Sequence, residues 1–109
     1  MMTAKQHLQL LEEFTLCLDE QRYYDAHEAL EEIWFPRRFE DDNEIKLLKG
    51  FINAAVSFEL IKRGRTVAGK KVWKNYLKYR QLLFKTGSKK IKLYYDIFLQ
   101  IEKIKKGLS

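Results

Sequence analysis

One histidine and two glutamates have the residue types and spacing best suited to chemistry in this sequence. They lie in the stretch "YDAHEALEEIW", residues 24–34. His27 and Glu31 are four positions apart and Glu28 and Glu31 three apart, so a helix places these side chains on neighbouring surface positions. An imidazole and two carboxylates can bind a divalent metal ion through nitrogen and oxygen. They can also form a general acid/base pair, in which a carboxylate orients the imidazole.

A structural role for the same histidine is equally consistent with the sequence. On a helical wheel, His27 lies on an apolar face that includes Leu30 and Trp34. A single histidine on such a face is commonly a core residue whose ring nitrogens contact a carboxylate or a carbonyl. The zinc motif H-E-x-x-H is also incomplete, because Glu31 stands at its second ligand position. The spacing therefore leaves a metal site, an acid/base pair and a packing role open.

Five helices are predicted to position these residues. They cover about residues 4–20, 23–35, 44–63, 67–84 and 89–106. Pro36 ends the second helix and Gly64 the third. The predicted N-caps are Asp42 or Asn43, Thr66 and Ser88. The short connections predict an all-α bundle with antiparallel neighbours. The third helix is apolar on most sides apart from a stripe of Lys46, Lys49, Asn53 and Ser57, so we expect it at the centre.

Composition predicts one soluble domain over residues 1–109. The chain is 46 % apolar and 33 % charged, which is typical of a globular protein. It contains no apolar run long enough to span a membrane and no visible secretory signal, so we expect a cytoplasmic protein without a membrane partner. Cys17 is the only cysteine, which excludes an internal disulfide.

Charge is distributed unevenly along the chain. Residues 1–61 hold six basic and thirteen acidic side chains, and residues 62–109 hold fifteen and two, giving net charges of −7 and +13. The basic half can serve a nucleic acid or an acidic protein partner, with Lys70, Lys71 and Lys74 as the candidate contacts. The two halves can equally attract one another within the bundle or between subunits of a homo-oligomer. No nucleic-acid-binding motif accompanies the charge.

The stretches "AHEALEEIW" and "LLKGFINAAVSFELIKRG" resemble the domain of unknown function 309 family of small helical proteins. Its pattern is an A-H-E-x-L-E-x-x-W helix followed by an L-x-G-L-I-Q helix that ends in basic residues. The resemblance covers about residues 8–84 and leaves a basic C-terminal helix, residues 85–109, outside it. The matching residues are Ala26, His27, Glu28, Leu30, Glu31, Trp34, Leu48, Gly50, Ile52, Ala55 and Gly64. It implies a compact helical bundle and no secure activity, although some members carry a metal-dependent hydrolase label.

The resemblance also implies that His27, Glu28, Glu31 and Trp34 act as a unit. Gly50 then lets the second helix or a bulky aromatic side chain approach the third closely, and Asn53 is expected to complete a His27–Glu31–Asn53 network. The departures are Lys49, Phe51, Asn53 and Arg65, and also Glu59 and Leu60, near which the family often has histidine. These positions therefore supply no second imidazole ligand in this sequence.

These observations predict a small helical protein whose His/Glu pocket binds a divalent metal or a small molecule. The alternatives are an interaction module that uses the basic half, and a homodimer in which the His/Glu cluster is structural. The sequence names no substrate and no reaction.

Overall fold

Five α-helices and two short 3-10 helices make up the computed structural model, which describes residues 2–108. The α-helices are α1 (Ala4–Asp19), α2 (Tyr23–Trp34), α3 (Asn43–Lys62), α4 (Thr66–Arg80) and α5 (Ile91–Leu108). The 3-10 helices, Phe35–Arg37 and Gln81–Phe84, follow α2 and α4. No strand occurs within residues 2–108, so the all-α prediction is confirmed. None of the helices in this range is long and apolar enough to cross a lipid bilayer.

α3 lies at the centre of the bundle, as its composition predicts. Its buried residues cover about two thirds of the helix circumference: Ile45, Leu47, Leu48, Gly50, Phe51, Ile52, Ala54, Ala55, Ser57 and Phe58. One apolar core joins the larger apolar residues and alanines of this set to side chains from the other four α-helices. Ser57 departs from the predicted polar stripe because it is fully buried, and its hydroxyl donates a hydrogen bond of 2.7 Å to the carbonyl of Gly69 in α4.

The turn between α3 and α4 ends α3 as predicted, but α4 begins at a different residue from the predicted one. Gly64 has a φ of +81°, and the N–H of Arg65 donates to the carbonyl of Leu60, so α3 ends in a Schellman motif. Arg65 then serves as the N-cap of α4 without a side-chain cap. Thr66, the predicted cap, is instead the first helical residue, because Arg65 both closes the Schellman motif and precedes the first residue of α4.

A polar contact anchors the start of α5 to the start of α3. The carboxylate of Glu44 accepts hydrogen bonds from the hydroxyls of Tyr94 at 2.6 Å and Ser88 at 2.8 Å. The hydroxyl of Ser88 also accepts from the N–H of Lys90, but α5 begins only at Ile91, so Ser88 bonds ahead of the helix rather than at its predicted N-cap. Burial raises the pKa of the Tyr94 phenol, which keeps it a donor to Glu44.

Candidate functional site

His27 is a half-buried side chain with a hydrogen-bond acceptor at each ring nitrogen. Its exposed fraction is 16 %. Nδ1 lies 3.1 Å from the carbonyl oxygen of Tyr24, one turn earlier in α2, and Nε2 lies 3.2 Å from Oε1 of Glu31, one turn later. Oε1 of Glu28 lies 3.7 Å from Nδ1. Helix geometry alone produces the contacts with Tyr24 and Glu31, since residues three and four apart are surface neighbours.

The two acceptors place a chemical demand on the ring. A neutral imidazole carries only one N–H, so it can donate to only one of its two neighbours. If Nδ1 donates to the Tyr24 carbonyl, the lone pair of Nε2 faces the negative charge of Glu31 at 3.2 Å. That contact is favourable only when a proton or a metal cation lies between the two atoms.

Glu28 and Glu31 bring two carboxylates to the His27 imidazole, Glu28 nearer Nδ1 and Glu31 nearer Nε2. One ligand atom from each of His27, Glu28 and Glu31 can be chosen so that all three lie within 4.8 Å of one another. The carboxylate side chains are 54 % and 39 % exposed, so solvent reaches them directly. The arrangement therefore offers one nitrogen and two oxygen donors to an incoming cation.

His27 opens onto a pocket of about 260 Å³ between α2 and the end of α3. The pocket is lined by Tyr23, Tyr24, His27, Val56, Glu59, Leu60, Arg63 and Arg65. Glu59 is mostly buried, with 17 % of its side chain exposed, and accepts a hydrogen bond of 2.8 Å from Nε of Arg63. The histidine thus has an open side, which a purely internal packing residue does not need.

Comparison with known protein families shows which family this chain belongs to. The family model described as a domain of unknown function, DUF309, matches residues 11–72, more than half of the sequence. The chain belongs to the DUF309 family. Comparisons with the curated proteins and with the solved structures gave no match. The DUF309 match spans the His/Glu cluster and every residue that lines its pocket, whereas α5 lies outside the match.

Tyr24 also lines the pocket of this DUF309 protein. Its ring meets the His27 imidazole edge-on, with centroids 5.3 Å apart. The negative charge of Glu28 raises the pKa of the Tyr24 phenol, and the charge of Glu31 raises it by a smaller amount. The positive charge of Arg63 lowers the same pKa. The charge state of the phenol therefore depends on the carboxylates of α2 and on the arginine of the pocket.

Asn53 and Trp34, which the sequence analysis groups with His27, have other partners in the structure. The amide of Asn53 donates to the carbonyl of Lys49 at 2.7 Å and accepts from Asn75 at 3.4 Å. Among residues 2–108, no hydrogen bond links Asn53 to His27, which differs from the predicted network. The physical reason is local, because a side chain in a helix can bond the carbonyl one turn earlier. The ring of Trp34 stacks under the ammonium of Lys49, 4.1 Å from the ring centroid.

Gly50 provides a close helix contact, and its partner is α4 rather than α2. A Cβ atom added at Gly50 would lie 2.8 Å from Cβ of Tyr79. Tyr79 is therefore the bulky aromatic neighbour that the sequence predicts, but it contacts Gly50 through its Cβ and backbone and not through its ring. Gly50 allows the close contact between α3 and α4 and is not itself a lining residue of the pocket.

Arg63 and Arg65 are the functional candidates that sequence reasoning missed. Both follow the last turn of α3, where basic side chains also complement the helix dipole. The i, i+4 spacing of Glu59 and Arg63 was the available signal for their ion pair. Arg63 and Arg65 lie in the same pocket as His27 because of the way α2 packs on α3, and the spacing of residues along one helix does not reveal that packing.

The candidate lysines of the basic half lie on the surface of α4. Lys70, Lys71 and Lys74 are all exposed. The nearby rings are engaged in packing, since Tyr76 is fully buried and Trp73 stacks on it with centroids 4.5 Å apart. These rings are not free to stack on bases, so the lysines offer charge without the aromatic platform that single-stranded nucleic acids use.

A larger groove of about 1010 Å³ runs beside the start of α1 and the end of α2. His7 lines it together with Arg37 and Lys90. Burial, followed by the positive charge of Lys90, lowers the pKa of His7, and Glu44 partly opposes this shift. His7 is therefore held neutral in the native protein at pH values where a free histidine begins to protonate.

We expect His7 to make the protein less stable in mild acid. Because its native pKa is lowered, the unfolded chain binds more protons, and the free energy of unfolding falls as the pH drops below about 6.5. Urea unfolding of the wild type and of His7→Gln at about pH 5 and about pH 7.5 measures this effect. The variant should lose less stability between the two values. An identical loss in both proteins would contradict the assignment.

Proposed function

We propose that this protein binds one divalent transition-metal ion through His27, Glu28 and Glu31. The observation that carries the proposal is the pair of contacts at His27, with a backbone carbonyl at Nδ1 and a carboxylate at Nε2. In metalloproteins, a histidine ligand characteristically donates its other ring N–H to a carbonyl or carboxylate, which fixes its orientation. The Tyr24 carbonyl is suited to that role, and it leaves Nε2 and Glu31 to share the cation.

The donor set indicates the class of ion and its chemistry. One imidazole and two carboxylates suit ions such as zinc or manganese rather than copper(I), which prefers sulfur. Three protein ligands leave at least one coordination position for water or a ligand, as in catalytic rather than structural zinc sites. An ion held this way can activate water or hold an anionic group, so the site supports hydrolytic chemistry.

A proton satisfies the same geometry and defines the competing structural reading. A doubly protonated His27 can donate to both the Tyr24 carbonyl and Glu31, and the cluster then stabilises α2 without binding a ligand. The two readings differ in their response to added metal, because metal must displace the proton at Nε2.

Calorimetric titration of chelator-treated protein with zinc chloride and with manganese chloride tests the proposal. We expect one ion per chain for the wild type and at least about a tenfold weaker affinity for Glu31→Gln, which removes a ligand charge but preserves shape. Glu32→Gln is the matched control, since Glu32 is exposed on the same helix and outside the cluster. Absence of binding to the wild type, or equal losses in both variants, would overturn the metal site.

A further inference from the structure

The pocket beside His27 carries positive charge at the end that lies across from α2. Arg63 and Arg65 come from the end of α3 and the turn that follows it, and both line the pocket. Arg63 uses its Nε to bond Glu59, and its side chain is 64 % exposed. Its terminal nitrogens therefore remain directed to solvent or to a ligand.

Arg65 has a guanidinium that residues 2–108 do not neutralise. It forms no side-chain hydrogen bond or ion pair with them, although it is exposed beside a half-buried histidine and a buried tyrosine. Guanidinium groups bind carboxylates and phosphates through two parallel hydrogen bonds, which makes arginine the preferred residue for planar anion recognition. With Glu59 balancing Arg63, the arginine pair retains one net positive charge and several free donors.

The remaining walls are apolar, and the volume is small. Tyr23 is buried, and Val56 and Leu60 are half-buried beside it. About 260 Å³ lies just below the usual range of about 300 to 1000 Å³ for small-molecule sites, so the pocket suits a compact ligand. A ring or a short branched chain would bury its surface against these three residues, and its charged group would lie on the arginines.

We propose that this pocket binds a small organic anion, namely a carboxylate, a phosphate monoester or a phosphonate, whose charged group is held by Arg63 and Arg65. The proposal names the ligand class of the metal site and in that respect rests on the proposed function. The apolar part of the ligand packs on Tyr23, Val56 and Leu60, and the bound molecule borders His27.

The neighbouring carboxylates add a testable feature. Glu28, Glu31 and Glu59 place negative charge next to the pocket, and this charge weakens anion binding when no metal is present. A divalent ion at His27, Glu28 and Glu31 cancels the negative charge of the two carboxylates on that side. Metal and anion should therefore bind cooperatively, and each should raise the affinity of the protein for the other by the same factor.

The experiment follows amide chemical shifts of isotopically labelled protein during titration with phenylphosphonate, benzoate and benzyl alcohol, with and without zinc. The two anions share a ring but differ in their charged group, and the alcohol is the neutral control. We expect shifts around the pocket with the anions only. Arg65→Gln should weaken anion binding about tenfold, the loss of one charge-assisted contact. Lys103→Gln removes an exposed charge on α5 and should have no effect.

The outcomes separate this inference from the metal site. Weaker anion binding in Arg65→Gln, with zinc affinity unchanged, supports the arginine pair as the anion site. Zinc binding without anion binding, or equal binding of benzyl alcohol, overturns the anion pocket and leaves the metal site in place. Anion binding that depends on Arg65 in a protein that binds no zinc overturns the metal site and supports the arginine pair. Equal losses in Arg65→Gln and Lys103→Gln would mean nonspecific attraction and would overturn the inference.

Discussion

Replacing His27 by glutamine is expected to lower zinc affinity by more than about 100-fold while leaving the protein folded. Loss of an outer-shell partner alone typically costs roughly 10- to 100-fold in metal affinity, and His27 is the only nitrogen ligand in the cluster. Glutamine keeps a polar side chain that can still donate to the Tyr24 carbonyl, so the packing cost is small. Calorimetric titration with zinc measures the affinity of both proteins.

Thermal unfolding with and without zinc shows whether His27 has a ligand role or only a packing role. A ligand that binds only the native state raises stability by about 2.7 kcal/mol at one hundred times its dissociation constant. We therefore expect zinc to raise the melting temperature of the wild type and of Glu32→Gln but not that of His27→Gln. A variant that simply melts earlier, with no zinc effect in any protein, would support the packing role and contradict the metal site.

The second large effect is expected at Gly50, where valine should lower the free energy of unfolding by about 3 kcal/mol. Its Cβ would lie 2.8 Å from Cβ of Tyr79, an atom that no rotamer change can move, so α3 and α4 must separate. Overpacking of a closely packed core costs about 1 to 3 kcal/mol, and the two further methyl groups place this site at the upper end. Urea unfolding measures the difference.

Gly107→Val is the matched control for that substitution. Gly107 also lies in a helix, α5, but a Cβ there meets nothing within 4 Å, so the change should stay within about 0.5 kcal/mol. Zinc affinity of the folded Gly50→Val protein should match that of the wild type, because Gly50 does not line the pocket. Equal stabilities of the Gly50 and Gly107 variants would show that the α3–α4 contact adjusts without cost.

The local part of the site could be predicted from the sequence because it lies within one helix. Residues three and four apart in an α-helix are neighbours whatever the rest of the chain does, and this rule brings His27 to Glu31 and to the Tyr24 carbonyl. The central position of α3 follows in the same way from a run of apolar residues that must be buried on most sides of the helix. No knowledge of helix crossing was needed for either result.

The tertiary structure alone decided which residues face His27 from outside its own helix. The rotation and crossing of α2, α3 and α4 depend on how distant side chains interlock, and a one-helix pattern does not contain that information. Asn53 therefore meets Asn75 and not the imidazole, while Arg63 and Arg65, which the sequence did not mark as site residues, line the pocket. Sequence determined the His/Glu cluster because its geometry is local, and packing determined its open side because that side is formed by residues far apart in the chain.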